Sequence, residues 1–301
     1  KIDNSNSFEF IKKLENELSD FENIRVKKNF SIIGIHDHSY LIGSENMEQM
    51  ERNSQSSIRQ RLWRIRAKHV ILATGAIERP LVFAGNDIPG VMLCSAALEF
   101  YKLYGVSPGD RVVILTNNDS AYSSVIELFN AGISVPLVID VREKSDGNLP
   151  LKAKKLGIRV EFSKAISKVI GKKKVKAVEL CSVVGEGAVL ETIICDSVLM
   201  SGGWTSTLNL WSHCGGKIKW DSKLNTLVPD ESFPSINEFG RSFITVLGSA
   251  DGKFWPSDLF ANIEKKLNIL YSELNLKKTK TIRYNIDNSI NGETSSIICV
   301  P

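Results

Sequence analysis

The sequence predicts an α/β protein built on parallel sheet, and three observations predict it. The apolar run His69-Val70-Ile71-Leu72 breaks off into the small residues Ala73-Thr74-Gly75. A continuous apolar run suits a strand buried on both faces, as parallel strands are. Residues 111–115, 119–130 and 135–140 read as strand, helix and strand with short connections, the pattern of a right-handed crossover. A late strand over 243–247 ends in Gly248-Ser249-Ala250-Asp251-Gly252 and leads into a helix over 259–274.

The remaining elements follow in chain order. Phe8, Ile11, Leu14 and Leu18 recur at helical spacing among acids and lysines, which predicts an amphipathic helix over 8–21. A short strand is expected at 24–26, then two more at 30–35 and 39–42 turned around Asp37-His38. Residues 44–60 are polar without an apolar period and read as a loop or an exposed hairpin end. Alternating apolar and basic residues over 62–66 predict a half-exposed strand. Residues 95–104 form a helix stopped by Gly105, and Asp119 or Ser120 caps the helix that Gly132 ends. A short helix at 151–156 and a strand at 159–162 come next. Strands at 165–170, 175–183 and 189–195 follow, and residues 198–200 bring the chain back to Ser201-Gly202-Gly203-Trp204. The segment 277–301 has no period and reads as a linker.

At 301 residues the chain can bury one large or two modest cores, and 43% hydrophobic with 24% charged residues is ordinary for a globular protein. No apolar run reaches the ~18–20 residues of a membrane span. Lys1-Ile2-Asp3-Asn4 leads straight into polar sequence with no visible signal peptide and no initiator Met, so the chain is expected to be a piece of something longer or one with its start removed. A net charge of +4 says little about partners. Lys172-Lys173-Lys174 and Lys277-Lys278 lack interleaved aromatics and read as solvated ends rather than nucleic-acid patches. Five cysteines form no C-x-x-C pair; Cys94, Cys181 and Cys195 sit in apolar stretches as small core residues, which suits a reducing, cytoplasmic compartment. His36 and His38 share a strand face without further ligands nearby, so a surface hairpin is expected there and no metal site.

A dinucleotide fold normally carries G-x-G-x-x-G after its first strand, where glycines let pyrophosphate reach a helix N-terminus. No such motif occurs. At the equivalent place after residues 111–115 stands Thr116-Asn117-Asn118-Asp119-Ser120-Ala121. Asparagines tolerate left-handed backbone, but their side chains and the Asp119 carboxylate take up the space and charge of a phosphate. A retained fold with an empty site is favoured over a nucleotide site of altered chemistry. Glu78 and Arg79 fall close to the expected cofactor edge but read as a mutual pair, and Trp204 as a plug between domains or a cover on a cofactor. No serine–histidine–aspartate set, metal quartet or carboxylate dyad stands out, and no catalytic residue is assigned.

The strand ending in Ala73-Thr74-Gly75 resembles the two-dinucleotide-fold, glutathione-reductase-like flavoproteins, and the glycine turn at 248–252 resembles the second half of their first-domain signature. Residues 61–87, with Ala76-Ile77-Glu78-Arg79-Pro80 at their centre, the turn Thr116-Asn117-Asn118-Asp119-Ser120-Ala121-Tyr122, and Ser201-Gly202-Gly203-Trp204 together resemble the alpha subunits of heterotetrameric sarcosine oxidases. Gly215-Gly216-Lys217 and Trp220-Asp221 extend the likeness. The resemblance implies a first nucleotide-binding lobe over 1–90 and 204–275 that lacks its N-terminal glycine finger. It also implies an inserted second lobe over 91–203 and a tail over 276–301 toward a C-terminal domain. It further implies NAD, with FAD as the alternative, held along Ala73, Thr74, Gly75, Gly248, Ser249, Ala250, Asp251 and Gly252. Flavins would lie on a beta subunit that oxidises sarcosine, with one carbon passing to tetrahydrofolate and hydrogen peroxide formed. Two alternatives stay open: an FAD-dependent amine or opine dehydrogenase subunit, and a scaffold domain that binds no nucleotide. Neither nucleic acid nor membrane is expected as a partner.

Overall fold

A computed structural model describes residues 7–47 and 59–276, and over them the chain divides into two units. The tail over 277–301, with Cys299, lies outside the described residues, as does most of the predicted loop over 44–60.

Of the described residues, the first unit comprises those up to Gly75, Ser206–Trp220 and 227–276. The amphipathic helix spans Ser7–Ser19. An antiparallel sheet follows with strands Phe30–His36, Tyr40–Asn46 and Gln60–Arg66 side by side in chain order. The expected hairpin is there, and its turn places His38 and Ser39 at φ 60° and 54°. His38 sits in that turn beside Glu238 at 3.0 Å, while the His36 ring meets His213 at 5.1 Å, so the two histidines part company. The middle strand runs on to Asn46, four residues beyond the predicted end at 42. Tertiary contacts extend it: Gly43, Ser44 and Glu45 pair with Trp63, Leu62 and Arg61, and buried Glu45 accepts bonds from Lys27 and from Trp63 Nε1 at 2.7 Å. No strand forms at 24–26, where Ile24 and Val26 are exposed and no neighbouring strand offers a ladder.

Val70–Leu72 and Ile244–Val246 pair in parallel, with Val70 opposite Ile244 and Leu72 opposite Val246. They pack with Ile35, Leu41, Trp211 and Phe243 into one apolar cluster. The last helix, Pro256–Glu273, opens with proline at its first position, where the absent N–H is no loss.

The second unit comprises Ala76–Thr205 and Asp221–Thr226. Its centre is a five-stranded sheet ordered Val91–Leu93, Ser197–Ser201, Arg111–Thr116, Ser134–Asp140, Val160–Phe162, all parallel. The helices Ala121–Asn130 and Asn148–Lys155 make the crossovers. Along Arg111–Thr116 the side chains divide between two clusters: Val113 and Leu115 pack with Val178 and Leu180, whereas Val112 and Ile114 pack with Tyr122 and Leu128. Burial on both faces explains the unbroken apolar run, and each such side chain contributes about 1.5–3 kcal/mol. An antiparallel sheet of Lys164–Gly171, Val175–Ser182 and Glu191–Ile194 supplies the first of those faces. The helix Cys94–Tyr104 stops where Gly105, at φ 65°, donates its N–H to the Tyr101 carbonyl and Val106 N–H bonds to the Phe100 carbonyl. Cys94, Cys181 and Cys195 are free and buried. Among the described residues no helix is long and apolar enough to cross a membrane, and no group of three histidine, cysteine or carboxylate side chains could hold a metal.

Candidate nucleotide-binding site

In the first unit the two parallel strands end side by side. Leu247 N–H bonds to the Leu72 carbonyl at 2.9 Å, so Ala73-Thr74-Gly75 and Gly248-Ser249-Ala250-Asp251-Gly252 leave the sheet together at its carboxyl edge. That edge is where open parallel sheets bind ligands. All eight residues singled out from sequence are thereby brought into one neighbourhood, although 172 positions separate Gly75 from Leu247 in the chain.

Gly75 and Gly248 hold φ of 75° and 70°, which L side chains rarely adopt. A Cβ at Gly75 would meet no atom within 4 Å, and one at Gly248 would meet only Leu259 Cδ1 at 3.8 Å. Their conformation needs glycine, and the space above them is open. Thr74 Oγ1 donates to the Thr207 carbonyl at 2.7 Å, and Thr207 N–H returns to the Gly75 carbonyl at 3.0 Å, which ties the turn to the chain beside it. Ser206 Oγ does the same for the Ser249 carbonyl at 2.9 Å. Residues Gly248–Asp251 form one 3₁₀ turn closed by Gly252 at φ 73°, and Ala250 is buried beneath it.

Asp251 is committed elsewhere. Its Oδ2 lies 2.7 Å from Lys266 Nζ and accepts from Asn262 Nδ2 at 3.0 Å, both on the last helix. Lys266 also reaches Glu231 at 2.7 Å and donates to the Val246 carbonyl. The acid in the turn therefore joins the helix to the strand rather than standing free to read a ribose.

Beside Val70–Leu72 opens a cleft of about 530 Å³, lined chiefly by Ile32, Ile35, Leu41, Leu72 and Leu210, with Ala73 and Thr74 at one end. Val70–Leu72 is bonded to Ile244–Val246 along one edge only, and no second strand joins this sheet among the described residues. His69 Nε2 lies 2.8 Å from Thr245 Oγ1 at the other end of the strands; burial lowers its pKa, opposed by Glu273.

The second unit has its own switch point, between Arg111–Thr116 and Ser197–Ser201, from which the sheet order departs in opposite directions. Side chains close it. Asn118 Nδ2 donates to the Ser201 carbonyl at 3.1 Å and to Ser201 Oγ at 3.0 Å, and Asn117 N–H bonds to the same carbonyl at 3.3 Å. Ser120 holds the cap position before the following helix, as one of the two expected residues, but its side chain makes no capping bond there; Asn118 Oδ1 accepts from Ala121 N–H instead. Asp119 turns inward to Arg142 Nη2 at 2.7 Å and Ser145 Oγ at 2.9 Å. Asp140, at the end of the next strand, takes Arg142 Nε at 2.9 Å, Nη2 at 2.7 Å and the Tyr122 hydroxyl at 2.7 Å. Burial raises the Tyr122 phenol, and the Asp140 carboxylate raises it further. Trp204 Nε1 bonds to Ser120 Oγ at 2.9 Å over this turn.

Glu78 and Arg79 do not pair as expected. Successive residues of an extended segment face opposite ways. Glu78 accepts from Ser95 N–H at 2.8 Å and Ser95 Oγ at 2.6 Å at the start of the helix Cys94–Tyr104. Burial pushes its carboxyl up, while the bonds from Ser201 and Ser95 pull the other way. The Cys94 thiol is pushed well up by burial and then by Glu78.

No family model matches the chain. The alpha chain of the sarcosine oxidase of Rhizobium meliloti is 32% identical over 245 residues, which cover 81% of this chain and 24% of that protein. An opine oxidase component of Agrobacterium tumefaciens is 25% identical over 177 residues, 53% of this chain and 35% of that protein. Among solved structures, the thioredoxin reductase of T. acidophilum superposes with a TM-score of 0.61 at 17% identity, covering 89% of this chain and 81% of that one. L-proline dehydrogenase from P. horikoshii gives 0.54 at 22% identity over 90% of this chain and 48% of that one. These likenesses show the expected two-dinucleotide-fold architecture. The chain spans about a quarter of the length of the sarcosine oxidase alpha chains it matches, and over most of its own length it is related in sequence to the alpha subunits of sarcosine oxidases.

Proposed function

We propose that this chain is the nucleotide-holding region of the alpha subunit of an oxidoreductase of the sarcosine oxidase kind. The observation that carries the reading is the pair of strand ends in the first unit, where Gly75 and Gly248 present bare left-handed turns to open space. A flat dinucleotide needs such close backbone approach. Ala73, Thr74, Gly75 and residues 248–252 would flank it, with NAD the preferred ligand and FAD the alternative. Thr74 and Ser206 act as struts that hold the two turns in place, and Asp251 fixes the second turn to its helix instead of touching the ribose. No glycine-rich phosphate turn is found among the described residues of this unit, so the grip on the pyrophosphate would come from elsewhere. The second unit is a nucleotide fold that has closed its own site.

When bound, the nucleotide would supply a redox-active or structural ligand. The oxidation of an N-methyl amine such as sarcosine would fall to flavins on a partner subunit, with the one-carbon unit passing to tetrahydrofolate and oxygen reduced to hydrogen peroxide. Nothing among the described residues performs that oxidation. The relationship to an opine oxidase component favours a second reading, a subunit of an amine or opine dehydrogenase that holds FAD.

Isothermal titration of the chain with NAD and with FAD, alongside the same protein extended upstream, tests the assignment. Uptake of NAD by the extended protein, lost in a Gly75→Val variant, supports it. Uptake of FAD alone moves the reading to the second alternative. Absence of uptake in both forms defeats the nucleotide reading and leaves a scaffold.

A further inference from the structure

Among the described residues of the second unit, Arg79 is the one charged side chain whose buried donors end on nothing. Its backbone is clamped: Arg79 N–H bonds to the Gly203 carbonyl at 2.8 Å and Gly202 N–H to the Arg79 carbonyl at 2.7 Å. The approach is so close that a Cβ on Gly202 would lie 2.8 Å from the Pro80 carbonyl oxygen. The side chain leaves on the opposite side from Glu78, and Glu78 is already held by Ser95. Arg79 Nε and Nη2 are both shut off from solvent and have no hydrogen-bond partner. Burial alone acts on the guanidinium, pulling its pKa down, with no carboxylate to offset it.

Nε and Nη2 are not two arbitrary donors. Together they make the side edge of the guanidinium, two parallel N–H groups at the spacing of two oxygens on one carbon or phosphorus, the edge that binds carboxylates and phosphates bidentately. Enclosing that edge without an acceptor is unfavourable, because the solvation of a charged donor pair is lost and nothing replaces it. Other buried cations in this unit are answered; Arg142, for example, is met by two aspartates. Ile77, two residues earlier on the same side of the extended segment, is 65% exposed, so this side opens to solvent. Rotation of a long, half-buried side chain can bring the edge out to a ligand.

We propose that Arg79 is an oxyanion receptor, its Nε/Nη2 edge taking two oxygens of a carboxylate or a phosphoryl group on a ligand of this protein. The proposal does not depend on nucleotide binding by the first unit. The test is thermal denaturation and titration of the whole 301-residue chain with inorganic pyrophosphate and, separately, with acetate, for the parent protein and for Arg79→Met and Arg79→Lys. An anion that raises the melting temperature of the parent and leaves Arg79→Met unmoved supports the receptor. Arg79→Lys should bind it at least about tenfold more weakly, because lysine keeps the charge and loses the fork. Pyrophosphate as the effective anion identifies a phosphoryl ligand, and acetate a carboxylate. Without any anion, Arg79→Met should be as stable as the parent or more so, since it removes unpaired buried donors. The proposal is overturned if neither anion shifts the parent, if Arg79→Met responds equally, or if Arg79→Met is destabilised in their absence.

Discussion

Replacing Arg142 by methionine should unfold the second unit far more readily than any other single polar change in it. Arg142 is 7% exposed, and the side chains of Asp119 and Asp140 are 1% and 0% exposed. Its Nε and Nη2 grip both oxygens of Asp140 at 2.9 and 2.7 Å, and Nη2 also reaches Asp119 at 2.7 Å. Methionine matches the length and removes the charge, so two buried carboxylates lose their shared cation, and the Tyr122 hydroxyl, the residue-142 N–H and Ser145 Oγ that still donate to them are not charged. Breaking one side of a buried ion pair costs about 3–5 kcal/mol. In a domain of this size that is roughly 6–20 °C in melting temperature. The assay is calorimetry or urea denaturation of Arg142→Met beside the triple variant Arg142→Met/Asp119→Asn/Asp140→Asn. The triple variant should recover most of the loss, because it removes the charges that the single change strands. A loss below about 1 kcal/mol in the single variant, or no recovery in the triple one, would refute the claim that this network closes the second switch point.

Three further outcomes follow from the same geometry. Gly75→Ala should fold with a penalty of about 1–2 kcal/mol for a left-handed alanine, since its Cβ meets nothing, and a larger fall in nucleotide affinity would show in titration that the bare turn is a contact surface. Glu78→Gln keeps the acceptor for Ser95; because burial raises the Glu78 pKa in the folded protein, the parent loses stability relative to the variant as pH rises above 4.5, and urea midpoints from pH 4 to 8 should diverge in that direction. Lys266→Met should leave Asp251 and Glu231 without their cation and loosen the 248–252 turn, seen as faster amide exchange at Gly252 and Lys253 than in the parent.

Sequence alone was enough to place the parallel strands: Val112-Val113-Ile114-Leu115 is apolar throughout, as burial on both faces requires, and Val70-Ile71-Leu72 is apolar too, although Ile71 turns out 46% exposed on a strand with one covered face. It was enough for the two glycine turns as well, since left-handed backbone at Gly75 and Gly248 is a property of single residues and their neighbours. It showed that Asn117, Asn118 and Asp119 stand where a phosphate cradle would be. The tertiary structure decided where those side chains go. Asn118 bridges to Ser201, 83 residues away, and Asp119 and Asp140 meet on Arg142, so the side chains of the altered turn are bonded into the fold around them. The same is true of Asp251, taken by Lys266, of Glu78, which holds the start of a helix while its neighbour Arg79 is left alone, and of the strand through Glu45, where a polar pattern left loop and hairpin end equally open. Periodicity and turn chemistry are written over a few consecutive residues and can be read there. The partner of a buried polar group is chosen by chain segments far apart in sequence, and it exists only once the fold has brought them together.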